Sequence, residues 1–342
     1  MVGYDAKGMS MRRIWLLAVI AVLSVATAVA ADKRGRRVIC IGETVIDILF
    51  RGDQTVGSTP GGSAYNTAIS LGRAGVNTIF VGDTGNDRAG YRIRRFLAEN
   101  GVDSSAVRVY DGMKSTVSLA YLDEHNNARY SFYMNAPRER KPFVRPEIQK
   151  DDIVVFGSFY AANPAVRTAL TDFLDYARAC GAILYYDINI RSAHANMLEQ
   201  MLPNIEDNLH RADIVRGSRG DVATVFGTQR VDSLYDAHIA KACERFINTG
   251  GANPVRVFAP GFRGTYPVKP IKTVSTIGAG DNFNAGVAYA LIRLGITRQQ
   301  LQQGLTEQQW AQIADYAGRF SQDCCLHLEN YISVEFGRQM QY

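Results

Sequence analysis

The sequence has no G-x-x-x-x-G-K-[ST] segment, so a P-loop nucleotide site is not indicated. It also has no C-x-x-C spacing. Its five cysteines, Cys40, Cys180, Cys243, Cys324 and Cys325, form no Cys/His grouping of the kind that holds zinc. An odd number of cysteines fits a reducing compartment better than a disulfide framework. The five histidines, His125, His194, His210, His238 and His327, show no metal-ligand spacing and read as solvated or locally bonded. A large excess of one charge sign is lacking as well. The net charge is only +5, and the one basic cluster, Lys33-Arg34-Gly35-Arg36-Arg37, reads as a solvated linker, so no nucleic-acid partner is indicated. Internal repeats and low-complexity tracts are absent.

What remains is an ordinary globular composition, 46% hydrophobic and 21% charged, in a chain of 342 residues that is long enough to bury a large core. The N-terminus stands apart. Arg12-Arg13 precede the apolar run Ile14–Leu23, and Ala28-Val29-Ala30-Ala31 resembles a cleavage site, so residues 1–35 read as a signal-like or anchor segment or a start placed too far upstream. Membrane contact is expected only through this segment. Residues 36–342 are read as the folded domain, and the cytoplasm as its favoured location, with an anchored or periplasmic form left open.

From Arg37 onward, strand-like and helix-like patterns alternate. Val38–Ile41, Thr78–Val81, Ile153–Phe156, Ile183–Tyr186, Ile214–Arg216 and Val255–Ala259 read as strands. Helical spacing is expected over Ser63–Ala74, Arg88–Asn100, 165–180, 236–248 and 281–294. Such alternation predicts a parallel sheet covered by helices on both faces. One stretch breaks the rhythm. Thr116–Leu122 and Ala128–Met134, joined by a turn-rich segment, predict a hairpin around 115–135 that serves as a lid or an oligomer contact.

Chemistry concentrates in Thr276-Ile277-Gly278-Ala279-Gly280-Asp281, which follows the strand-like Thr273-Val274 and opens an amphipathic helix. Glycines let backbone pass close to a ligand, and a helix start offers unpaired N–H groups and a positive dipole end to a phosphate. Asp281 could then take a proton from an attacking hydroxyl. Read in isolation, Gly-Ala-Gly-Asp favours the plainer role of helix cap for this aspartate. Gly61-Gly62-Ser63-Ala64-Tyr65-Asn66 opens a second helix, and Asp47 lies shortly after the first strand.

Taken in order, these segments resemble the ribokinase-like (PfkB) carbohydrate kinases across residues 37–335, nearest to fructokinase-like members. Gly61-Gly62 through Asn66 is similar to the family's first signature, and Ser275 to Phe283 to its second. The resemblance implies a three-layer α/β/α fold with a mostly parallel sheet and a small β lid. It implies ATP and Mg²⁺ as partners of a sugar substrate, and it raises a monovalent cation and a homodimer formed through the lid. By residue, it implies Asp281 as the catalytic base and Gly278, Ala279 and Gly280 as the anion hole. Asp47, Gly62 and Asn66 match sugar-binding positions, and Ser218, Asp221 and Gly261 match nucleotide-side positions, with Asp221 the carboxylate tied indirectly to the metal. Asn189 and Arg191 either line the site or pin a loop.

Departures from the family pattern accompany these matches. Ser275 stands where aspartate is usual, which bears on the local turn and on any monovalent-cation site nearby. Ser218 replaces an asparagine, and Ala259 a threonine. These changes fit a divergent subgroup or weakened nucleotide binding. Ser63 stands where ribokinases usually carry lysine, which favours fructose over ribose as acceptor. A non-catalytic sugar-binding protein on the same fold, and a nucleoside or keto-acid sugar kinase, are the rival readings.

Overall fold

The apolar run Val38–Ile41 forms a strand in which every side chain is buried, as expected when both faces of a sheet are covered. The structure, a computed structural model, describes residues 35–341 apart from 125–127, 138, 192–195 and 229. The signal-like segment, the tip of the expected hairpin, His125 and His194 lie outside the described residues. No helix among the described residues is long and apolar enough to cross a membrane.

In chain order the strands are β1 (Val38–Ile41), β2 (Val45–Arg51), β3 (Gln54–Gly61), β4 (Thr78–Gly85), β5 (Val102–Asp103), β6 (Val107–Tyr110) and β7 (Val117–Leu122). They continue with β8 (Ala128–Tyr133), β9 (Ile153–Gly157), β10 (Ile183–Asp187), β11 (Ile214–Ser218), β12 (Phe246–Gly250), β13 (Asn253–Ala259) and β14 (Phe262–Tyr266). The main sheet runs β14-β13-β12-β11-β10-β9-β1-β4-β5, with β6 also pairing with β4. Pairing is parallel from β12 through β4 to β5 and antiparallel only at the β12-β13-β14 end.

Alternate residues of each central strand feed two cores. Val38, Cys40, Phe80 and Val155 face the Ser63–Arg73, Ala279–Arg293 and Glu307–Cys325 helices. Ile39, Ile41, Val81 and Val154 face the Arg167–Ala179 and Leu198–Arg211 helices. Each large apolar side chain fully buried in this way contributes about 1.5–3 kcal/mol. The strand order reverses at β1, between β4 and β9. In open α/β sheets the crevice beyond the carboxyl ends of the strands at such a reversal is where ligands bind.

A second sheet, of order β3-β2-β7-β8, stands over that end. The hairpin expected around 115–135 is present as β7 and β8, paired from Val117–Tyr133 to Leu122–Ala128. The β2–β3 pair joins it, β2 lying parallel to β7. Asp47 is therefore a strand residue, paired with Thr59 and Ser118. Two local expectations fail. The helix expected over 236–248 is replaced by a short helical turn ending at Ile239 and by β12, whose Phe246 and Ile247 are buried. Thr273-Val274 joins no strand, and the Val274 N–H instead donates to the Cys325 carbonyl (2.8 Å).

Candidate active site

The Ala279–Arg293 helix starts at Gly278, whose φ of 77° is a left-handed conformation that glycine adopts without penalty. A Cβ at Gly278 would lie 2.5 Å from the Asn330 carbonyl oxygen, so this turn has no room for a larger residue. Asp281 follows in the first turn, and no side chain caps this helix. Its carboxylate faces the Ser63–Arg73 helix instead. Ser63 Oγ donates to Oδ1 (2.7 Å) and Asn66 Nδ2 to Oδ2 (2.8 Å). The i, i+3 spacing of these two donors places them on one helix face. Asn189 Nδ2 donates to Ser63 Oγ (2.9 Å) and lies 3.4 Å from Asp281 Oδ1. Asn189 adopts φ 38°, a left-handed conformation uncommon outside glycine, in a loop that follows β10.

Asp281 is only 4% exposed, and burial pushes its carboxyl up to about 7. The Asn66 and Ser63 hydrogen bonds and the Arg191 charge pull the other way without cancelling that effect. A carboxyl near neutrality, already held as an acceptor, is suited to receive a proton from a hydroxyl.

Asp47 projects from β2 close by. Ser118 Oγ donates to its Oδ1, and Asn330 Nδ2 to its Oδ2 (3.1 Å). Burial raises this carboxyl too. Gly62 precedes the Ser63–Arg73 helix at φ 122°, and a Cβ there would meet the Glu43 carbonyl at 2.3 Å. Glu43, just beyond β1, accepts from Ser158 Oγ (3.1 Å), and burial raises it as well.

Two cavities meet at Asp281. The larger, of about 290 Å³, is lined by Glu43, Asp47, Gly62, Asn66 and Asn330, with Tyr130 and Phe132 of the second sheet over it. The smaller, of about 260 Å³, is lined by Arg216, Ser218, Asp221 and Gly278 to Asp281. Asn189 and Arg191 line both. The Arg191 guanidinium lies 4.9 Å from the centre of the Tyr130 ring, a cation–π contact. Arg216 is buried behind the smaller cavity. Its Nη1 donates to Asp187 (3.0 Å) and its Nη2 to Thr249 (2.5 Å), while Nε has no partner. Ser218 and Asp221 form a capping box on the Arg219–Phe226 helix: Ser218 Oγ accepts from the Asp221 N–H (3.1 Å) and Asp221 Oδ2 from the Ser218 N–H (2.7 Å). Burial raises the Asp221 carboxyl and the Arg216 charge opposes it. Among the described residues no cluster of three or more His, Cys, Asp or Glu forms a metal cage. Gly261 sits in the turn between β13 and β14 and is not among the residues lining either cavity.

One cavity thus presents hydrogen-bonding carboxylates and amides, the other a helix start with a buried guanidinium, and a carboxylate near neutrality lies between them. Such a constellation serves group transfer from an anionic donor to a hydroxyl. Residues 36–321 match the pfkB family of carbohydrate kinases, and the chain belongs to that family. It is 28% identical over 243 residues to fructokinase-1 of Zea mays, spanning 68% of this chain and 74% of that one. It is 26% identical over 270 residues to a fructokinase of Klebsiella pneumoniae, spanning 75% of this chain and 84% of that one. In fold it resembles the fructokinase of Vibrio cholerae O395, solved with fructose, ADP and calcium ion. The TM-score is 0.78 at 21% identity, over 91% of this chain and all of that one. The protein is a carbohydrate kinase of the ribokinase-like α/β class.

Sequence reasoning passed over several residues that the structure places at the site. Ser63 was considered only as a missing lysine, yet it holds Asp281. Arg216 carried a signal, a charge inside an otherwise apolar strand. Asn330 carried none, because it lies outside every recognised motif.

Proposed function

We propose that this chain transfers the γ-phosphoryl group of ATP to a sugar hydroxyl, with fructose the favoured acceptor. The observation that carries this reading is the position of Asp281, shared by the two cavities at a helix start. The sugar occupies the larger cavity, gripped by Asp47, Asn66 and the backbone at Gly62. Asp281 accepts the proton of the attacking primary hydroxyl. The opening turn at Gly278, Ala279 and Gly280 holds the phosphate with its N–H groups, and Arg216 sets a fixed positive charge beneath it. Phosphoryl transfer needs little covalent help, so positioning and charge stabilisation supply most of the catalysis.

Two carboxylates, Asp221 and Asp281, line the smaller cavity, and with Asp281 assigned as base Asp221 is the residue that would hold Mg²⁺ there, where the ion would neutralise phosphate charge. Ser275 offers an uncharged Oγ that accepts from the Ile277 N–H (3.2 Å). The second sheet, standing over the larger cavity, limits water access during transfer.

The test is ADP release from ATP and Mg²⁺ with fructose, glucose, ribose, adenosine and 2-keto-3-deoxygluconate as acceptors. Turnover is expected with fructose ahead of the rest. Sugar binding without ADP release from any acceptor would replace this reading with a non-catalytic binder.

A further inference from the structure

Among the described residues, four buried polar atoms around the larger cavity lack partners: Asn66 Oδ1, Asn330 Oδ1, Glu43 Oε2 and the Tyr160 hydroxyl, of which the first three can only accept. The first two are the leftover halves of amides whose N–H₂ groups are committed to carboxylates, Asn66 to Asp281 and Asn330 to Asp47. Because an ionised carboxylate only accepts, these amide orientations follow from the hydrogen-bond network. Glu43 is different, since no recognised motif contains it. Its Oε1 accepts from Ser158 Oγ (3.1 Å) and lies 3.5 Å from the Ser63 N–H, while Oε2 is left over.

Ser158 adds an independent observation. It sits at φ 61°, the left-handed region that a residue with a Cβ enters at a cost, and it is the first residue of a short helix after β9. Backbone strain of this kind concentrates where a side chain must be aimed, and this hydroxyl is aimed at Glu43. A carboxylate so held, with one oxygen buried and unpartnered against a cavity, is costly unless a ligand supplies a donor.

We propose that Glu43 reads the acceptor: its Oε2 takes a hydrogen bond from a sugar hydroxyl, and so selects a neutral polyhydroxylated acceptor over one bearing a carboxylate or phosphate at that place. The proposal rests on the larger cavity being the sugar site. A donor satisfies the orphaned oxygen, whereas an anion there meets like charge in a water-poor setting. The charged groups around the cavity are Glu43, Asp47, Asp83 and Asp281, with Arg140 and Arg191. Arg140 is paired to Asp83, which Arg108 also contacts (2.6 Å).

Glu43→Gln tests this directly, because glutamine retains an oxygen for Ser158 but turns Oε2 into a donor. Calorimetry with fructose should show about 10–100-fold weaker binding, the range expected for a lost hydrogen bond to a charged group. The fructose KM should rise in parallel, while kcat and the ATP KM change by less than about threefold. The ratio of 2-keto-3-deoxygluconate to fructose turnover should also rise. Ser158→Ala, which leaves Glu43 in place but unaimed, should weaken fructose binding several-fold, and it serves if Glu43→Gln melts early. Unchanged fructose affinity in both variants overturns the proposal. So does a wild-type enzyme that binds and phosphorylates only acidic or phosphorylated sugars, an outcome that leaves the kinase reading standing. Fructose binding that weakens in Glu43→Gln, without turnover in the wild type, supports Glu43 and overturns the kinase.

Discussion

Asp281→Asn is expected to lower kcat by roughly 10²–10⁴-fold, the usual contribution of a positioned general base, while sugar and ATP affinities change little. The carboxamide keeps an oxygen for Ser63, but it cannot take a proton from the acceptor. Because only the ionised carboxylate acts as base and its pKa is about 7, wild-type kcat/KM should fall as pH drops below 7 and level off above it. The same shift makes a second prediction with the opposite sign. The folded state holds this proton to a higher pH than the unfolded chain does, so stability falls as pH rises from about 4 to about 7. Asp281→Asn removes that penalty but leaves Asn66 Nδ2 facing an amide, so its stability relative to wild type should be higher at pH 8 than at pH 5. Thermal denaturation at pH 5 and pH 8 measures this, and steady-state kinetics measures the loss of turnover. A variant with near-wild-type kcat would exclude the base role for Asp281.

Asp47→Ala should raise the fructose KM about 10²-fold and move the ATP KM by no more than about twofold. Two effects add. The sugar loses an acceptor, and Ser118 Oγ and Asn330 Nδ2 are left without the carboxylate they now serve. Buried donors stranded in this way cost about 1–3 kcal/mol each, which is why sites built around hydroxyl partners discriminate so steeply. Calorimetric titration with fructose is the check, and unchanged affinity would remove Asp47 from the sugar site.

Local signals were the ones legible in the sequence. The apolar run at Val38–Ile41 and the glycine turns before Ser63 and Ala279 each declare themselves within a few residues. Pairings set by distant segments did not. The strand character of Asp47 is not legible locally, because β2 follows β1 after only three residues and its pairing depends on β7, some seventy positions later. The stretch 236–248 looked helical, yet Phe246 and Ile247 are claimed by the sheet beside β11, a case of tertiary packing overriding local preference. Gly261 lies in a Pro-Gly turn at the sheet edge, and its match to a nucleotide-side position rests on motif order alone. Glu43 escaped notice because nothing in a sequence marks an unpartnered oxygen.

Asn330 ties together parts of the chain made far apart. Its side chain holds Asp47, 283 positions earlier, and its carbonyl accepts from Asn282 Nδ2 (2.9 Å) beside the Gly278 turn. During synthesis, therefore, Asp47 and the Gly278 turn both leave the ribosome before the residue that braces them. A nascent chain that ends before Asn330 lacks one donor to Asp47 and the carbonyl that accepts from Asn282 Nδ2, so the proposed sugar pocket is unfinished until synthesis is nearly complete. Ribosome-stalled chains ending before Asn330 should show no protection by fructose against proteolysis, whereas released full-length protein should.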